Sequence, residues 1–310
     1  MRPAYSVVFL TTLIGAGQGL FVAAFMAEAV ARLAGESVPT TFLVRASIGI
    51  VALGAGGLVA SFFHLGRPER AWRSAAMWRT SWLSREVIAL PAFIALAAAY
   101  GLLHARGHGG TFLVGLLALA ACIALFTCTA MIYACIRFLQ EWASPLTFVN
   151  FVLMGCASGF TLAAALAAWQ APALLAPFTT GAIALTLAAL VSRVASLKRN
   201  ARLQPRSTTQ SAIGARGPDA VQKSRGFTGG SFNTREFFHG VGAPGMRAIL
   251  AAFLALAFVV PVALIVAGRD GAGPWLALAF AVQYTGLVAE RWYFLADARH
   301  PQNLYYQSVA

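Results

Sequence analysis

A histidine, His64, stands at the end of an apolar stretch in SFFHLGRPERAW, and Gly, Pro and several arginines follow it directly. The next apolar stretch is introduced by WRTSWLSRE, which ends in Glu86. An imidazole exchanges a proton near neutral pH, and a neighbouring carboxylate can relay that proton. A redox lipid such as a quinone requires this chemistry, because two electrons must be matched by two protons. His64 and Glu86 are therefore the candidate catalytic residues.

A second interpretation of the same residues involves no chemistry. Polar side chains at helix ends commonly extend to the membrane surface, and from the residues alone both interpretations stay open. The WLSRE segment also predicts a local structure, in which Ser84 is the N-cap of a helix and Glu86 lies in its first turn. The polar side chains nearest to the candidate pair in sequence are Arg67, Ser84 and Arg85.

The elements that must position these residues are membrane-spanning helices. The chain of 310 residues is 59% hydrophobic and 11% charged, whereas ordinary soluble domains are about 25% charged. The uncharged stretch 142–192 is much longer than a single crossing, which takes about 20 residues. The segment WQAPALLAP within it is a turn signal that divides the stretch into two helices. We therefore predict an all-α protein, a single membrane-anchor domain over residues 1–310 with eight transmembrane helices. The uncharged stretches are 3–27, 46–66, 87–105, 107–136, 142–192, 248–268 and 271–289.

The distribution of basic residues predicts the orientation in the membrane. The side that contains the N-terminus receives 19 of the 23 Lys and Arg residues, and the opposite side receives 4. By the positive-inside rule both termini are cytoplasmic, as is a long basic loop, 193–247, between helices six and seven. The net charge of +13 is then explained by topology and by attraction to anionic lipids. We expect no binding of nucleic acid.

Other patterns narrow the class of site. His64 and His104 border spans at opposite membrane faces, so we expect no haem, and without an acidic cluster we expect no metal site. The four cysteines form no Cys-x-x-Cys pair. A transporter usually carries ionisable residues near the middle of its spans, and here the charges cluster at the predicted helix ends. Gly15 and Gly19 have the small-xxx-small spacing that allows close helix packing.

Several motifs resemble one known family. SFFHLGRPERAW with WRTSWLSRE, TTLIGAGQGLF near the N-terminus and AERWYFLADARHPQNLYY near the C-terminus are similar to the membrane-anchor subunit of the dimethyl sulfoxide reductase family. The resemblance covers both ends of the chain. It implies an anchor, without haem of its own, for a molybdopterin catalytic subunit and a ferredoxin-like iron–sulfur subunit, in an enzyme complex that exchanges electrons with ubiquinone or menaquinone.

The resemblance also assigns residues. It implies that His64 and Glu86 belong to the quinone site and that Arg67, Ser84 and Arg85 help to form it or to position the iron–sulfur partner. Charge counting places this face in the cytoplasm at the inner membrane, which within the family fits the branch that passes electrons from sulfite to quinone. The alternative is the anchor of a dimethyl sulfoxide or polysulfide reductase, which oxidises quinol. A membrane transporter is the more distant alternative.

Overall fold

The structure is a computed structural model that describes residues 1–214, 221, 223–224 and 232–306. Within these residues every regular element is helical and none is a strand, which confirms the all-α prediction. Five short helical elements of the described residues lie outside the long helices, at Pro68–Ala75, Pro172–Leu174, Thr209–Ile213, Phe232–Glu236 and Pro301–Tyr305. The long helices are α1 Tyr5–Leu33, α2 Thr40–Phe62, α3 Trp82–Arg106, α4 Thr111–Ala134, α5 Pro145–Gln170, α6 Leu175–Asn200, α7 Ala243–Gly268 and α8 Gly273–Asp297.

Helices α1 to α7 are long and apolar enough to cross a membrane, judged by length and composition. Helix α8 has the necessary length, but it contains Gln283, Tyr284, Glu290 and Arg291, which lower its mean hydropathy. The part of the chain that the structure describes thus supplies seven candidate spans. The eighth span and the cytoplasmic termini stay predictions.

The predicted loop 193–247 is wrong at both of its boundaries. Helix α6 continues to Asn200, and α7 begins at Ala243. Arg193 is therefore a helical residue, and it is buried with 2% of its surface exposed. A charged side chain can remain inside a helix bundle when it has a partner of opposite charge, and Arg193 has such a partner on α8.

Glycines bring the two central helices, α1 and α5, into direct backbone contact. A methyl group added at Gly19 would overlap the carbonyl group of Gly155, and one added at Gly159 would overlap the backbone of Gly19. Without side chains at these positions the helices approach closely, and dispersion contacts between backbones replace side-chain packing. The close packing predicted from Gly15 and Gly19 is confirmed.

We expect Gly19→Ala to weaken the packing of α1 against α5, because its methyl group meets rigid backbone rather than a flexible side chain. Overpacking of this kind costs about 1–3 kcal/mol or more. Gly15→Ala is the matched control, since a methyl group there would meet only the Cα atom of Gly155 at 3.6 Å. Thermal unfolding of the two variants in detergent tests this difference. Equal unfolding temperatures would contradict it.

Helix α7 is irregular at the point where it packs against α8. Pro261 has no N–H to donate to the carbonyl of Ala257, and a π-helical turn, Ala255–Val259, lies beside it. The Gln283 amide of α8 donates to that carbonyl at 3.4 Å and to the Thr186 hydroxyl of α6 at 3.0 Å. A polar side chain of α8 thus satisfies the backbone of its neighbour, and this explains why α8 tolerates it.

Candidate functional site

His64 lies in the turn that follows α2. The helix ends at Phe62, and the side chain of His64 is exposed on the surface of the chain. Partial burial at this helix end lowers the pKa of His64 below the usual imidazole range. The ring is therefore mainly neutral at pH 7, and when protonated it is a readier proton donor than a free imidazole.

An open apolar groove of about 430 Å³ lies between the start of α1 and the end of α2. Phe63, the residue before His64, is 82% exposed and forms part of the groove wall. The volume is within the range of small-molecule sites. Sequence reasoning missed this groove, because its walls come from two helices that are brought together only by tertiary packing. Its lining residues are Tyr5, Ser6, Phe9, Leu13, Gly56, Val59, Ala60 and Phe63.

The start of α3 differs from the prediction. Ser81, not Ser84, is the N-cap, and its hydroxyl accepts a hydrogen bond from the Ser84 backbone N–H at 3.3 Å. The helix begins at Trp82, three residues earlier than an N-cap at Ser84 allows, and so Glu86 lies in the second turn. Ser84 is itself buried. This position matters because the side chain of Glu86 lies on the side of α3 that faces the bundle interior.

Glu86 is buried, with 6% of its surface exposed. The Thr129 hydroxyl of α4 donates a hydrogen bond to Glu86 Oε1. The structure shows no hydrogen bond or ion pair between the side chains of His64 and Glu86, both of which it describes. Their action on one ligand stays a prediction. Glu86 is enclosed by protein, whereas His64 faces outward.

Arg67 and Arg85, the two arginines predicted for the site, differ in their contacts with the segment between α2 and α3. Arg67 is exposed and precedes the 3-10 helix Pro68–Ala75, which has no buried residue. Arg85 is bound to the segment itself: it donates to the Trp78 and Arg79 carbonyls, each at 2.8 Å, and its guanidinium lies 4.3 Å from the centre of the Trp82 ring. Arg85 therefore stabilises the conformation of this connection.

A buried ionic cluster, formed by Arg193 of α6 with Glu290 and Arg291 of α8, was not predicted. Arg193 Nε lies 2.8 Å from Glu290 Oε1, and Arg291 Nε lies 3.0 Å from Glu290 Oε2. Glu290 is 1% and Arg291 5% exposed, so the cluster is enclosed by the bundle. The Arg291 guanidinium lies 3.9 Å from the centre of the Phe151 ring, and its Nη2 contacts the Met154 sulfur at 3.2 Å.

A small cavity with a mainly apolar wall lies between Arg291 of this cluster and Thr129 of α4. Its volume is about 20 Å³, enough for one water molecule, which needs roughly 10–15 Å³ by the same measure. Thr129, the partner of Glu86, lines the cavity on one helix, and Arg291 lines it on another. The remaining polar residues of its wall are Thr11, Thr12, Gln18 and Ser158.

A second acid–base group lies at the other end of α3. The Tyr100 hydroxyl donates to Glu28 Oε2, Thr111 donates to Glu28 Oε1 at 3.4 Å, and His104 Nε2 lies 3.5 Å from Glu28 Oε1. This group joins α1, α3 and the start of α4. His104 is thus bound to a carboxylate at the opposite end of the bundle from His64.

Two comparisons with known proteins bear on the identity of the chain. A family profile described as "DMSO reductase anchor subunit (DmsC)" matches residues 1–295. The chain is also 52% identical, over the full length of both proteins, to a protein of Allochromatium vinosum whose name describes it as a subunit of sulfite dehydrogenase. The helical bundle with seven candidate spans agrees with a membrane anchor. This chain belongs to the DMSO reductase anchor subunit family.

Proposed function

We propose that this chain is the quinone-reactive membrane anchor of a molybdopterin and iron–sulfur oxidoreductase, and that electrons from the oxidation of sulfite reach quinone at this subunit. The name of the full-length relative supports the sulfite assignment. The family supports association with a molybdopterin catalytic subunit and a ferredoxin-like iron–sulfur subunit. The single observation that carries the quinone assignment is the apolar groove whose wall includes Phe63, the residue before His64.

The groove has the features that a membrane quinone requires. It is lined by aromatic and aliphatic side chains, which suit an isoprenoid tail and a planar ring. His64 directly follows the groove residue Phe63 in sequence, and we infer that its ring reaches the mouth of the groove, where a ring oxygen needs a proton as electrons arrive. A positioned imidazole contributes about 10²–10⁴-fold to such a proton transfer. Its lowered pKa makes the protonated ring a stronger acid.

Residues 66–85, which form most of the connection between α2 and α3 and the first residues of α3, are the proposed contact surface for the iron–sulfur subunit. They include five arginines, one carboxylate and three tryptophans. Arg73 and Arg79 lie over the rings of Trp72 and Trp78, each at 5.4 Å. Such a basic surface complements an acidic partner and guides its approach, and it adjoins the groove because His64 directly precedes it.

The proposal is tested on the assembled complex, purified from native membranes through a tag on this chain. Reduction of a short-tailed ubiquinone analogue is measured with sulfite as electron donor. Sulfite-dependent reduction is the expected result. Oxidation of a quinol by a sulfoxide or polysulfide, without a reaction with sulfite, would assign the chain to a reductase instead. A chain that purifies without an iron–sulfur protein would contradict the anchor proposal.

The orientation has its own test. Gly214 follows the short helix Thr209–Ile213 in the connection between α6 and α7. A reporter enzyme fused at Gly214 should report a cytoplasmic location. The expectation rests on the excess of basic residues on this side of the membrane. A fusion at Gly109, in the connection between α3 and α4, is the control and should report the opposite side. Periplasmic activity at Gly214 would contradict cytoplasmic oxidation of sulfite.

A further inference from the structure

The buried ionic cluster carries one more positive than negative charge. Arg193 and Arg291 share the single carboxylate of Glu290. A net charge inside a membrane protein is costly unless a counter-charge lies near it. The buried carboxylate of Glu86 would balance the excess, since two guanidinium groups and two carboxylates together are neutral.

A route of polar groups connects Glu86 with this cluster. The Thr129 hydroxyl uses its hydrogen to bind Glu86, and its oxygen remains able to accept one. Thr129 and Arg291 both line the cavity that has room for one water. Arg291 directs Nε to Glu290 and Nη2 to the Met154 sulfur.

A water in this cavity would accept an N–H of Arg291 and donate to the oxygen of Thr129, whose hydroxyl donates to Glu86. Such a chain of donors would stabilise the ionised carboxylate. Tyr133 of α4 interacts electrostatically with both Glu86 and Arg291, which places the two charges near one buried ring.

We propose that Arg291 is a positioning residue for Glu86, acting through one water in the cavity and the Thr129 hydroxyl to balance the charge of the buried carboxylate. The proposal rests on the proposed function and on the predicted role of Glu86 as a proton-exchanging residue in quinone turnover. In this arrangement the excess guanidinium charge would favour the ionised carboxylate.

The test is a pH titration of the Glu86 carboxyl group in the purified complex, followed by its infrared C=O band. The band is assigned by its loss in Glu86→Gln. Arg291→Gln is expected to move the midpoint to higher pH by about one unit, because a nearby opposite charge lowers a carboxylic acid's pKa by about 1–3 units. Arg291→Lys, which keeps the positive charge, should leave the midpoint close to its wild-type value.

The other groups near Glu86 stay constant in these variants. Among the described residues, Cys128 and Tyr133 of α4 interact electrostatically with Glu86, and Arg85 acts on Cys128. Arg291→Gln leaves Glu290 with Arg193 as a pair of one positive and one negative charge. This pair stays compensated, so a shifted midpoint reports on the loss of the Arg291 charge.

Thr129→Val provides a second, independent variant that changes no charge. It removes the hydroxyl that links Glu86 to the cavity, so hydrogen–deuterium exchange of the Glu86 carboxyl group should become slower, and its band should move as the hydrogen bond is lost. An unchanged midpoint in Arg291→Gln, or unchanged exchange in Thr129→Val, would overturn the proposal. Neither readout requires quinone turnover, so a complex that shows both effects but reduces no quinone would contradict only the proposed function.

Discussion

Replacement of His64 by alanine is expected to lower sulfite-dependent quinone reduction about a hundredfold, the lower part of the range for a lost general acid. The complex should still assemble, because His64 is exposed and makes no side-chain hydrogen bond within the described residues. Sulfite oxidation with a soluble dye as electron acceptor should therefore stay at the wild-type rate. His108→Ala is the control, since His108 is also exposed but follows the other end of α3.

The pH profile adds a second readout for His64. Partial burial lowers its pKa, so the protonated fraction, and with it the rate of proton donation to quinone, falls as pH rises through a value below the ordinary imidazole range. We expect this fall of the rate with rising pH in the wild-type complex and no such fall in His64→Ala. Wild-type quinone reduction by the assembled His64→Ala complex would remove His64 from the mechanism.

Glu290→Gln is expected to destabilise the bundle by about 3–5 kcal/mol, the cost of leaving a buried charge without its partner. The substitution leaves Arg193 and Arg291 without a carboxylate, and both are almost completely buried. The measurement is thermal unfolding of the purified complex, together with the amount of this chain in the membrane.

Two variants make this prediction specific. Glu69→Gln removes a carboxylate from an exposed pair, in which Arg70 lies 3.9 Å away, and such pairs contribute about 0–1 kcal/mol. The double variant Glu290→Gln with Arg193→Met removes one charge of each sign and should recover part of the lost stability. A Glu290→Gln complex as stable as wild type would show that the cluster is not needed for the bundle.

The sequence predicted the helical class and the positions of most spans, because both depend on local composition. Long uncharged stretches have few alternatives to a membrane helix, and Gly15 and Gly19 on one helix face indicated the close approach that the structure confirms. The motifs around His64 and Glu86 led to the correct family.

The buried ionic cluster could not be predicted in the same way. Charge counting treats each arginine as a surface residue, and Arg193 lies far from Glu290 in sequence, so only the packing of α6 against α8 reveals the pair. The groove depends likewise on the meeting of α1 and α2. The N-cap was misplaced by three residues because two serines, Ser81 and Ser84, both precede apolar sequence, and only the hydrogen bond distinguishes them.

The quinone site is tested most directly by photolabelling of the assembled complex with an azido-quinone analogue, followed by mapping of the labelled peptides. We expect label in the groove walls, within 5–13 and 56–63, and loss of that label when excess unlabelled quinone competes. Label confined to other helices, or label in the groove that quinone does not displace, would contradict a quinone site beside His64.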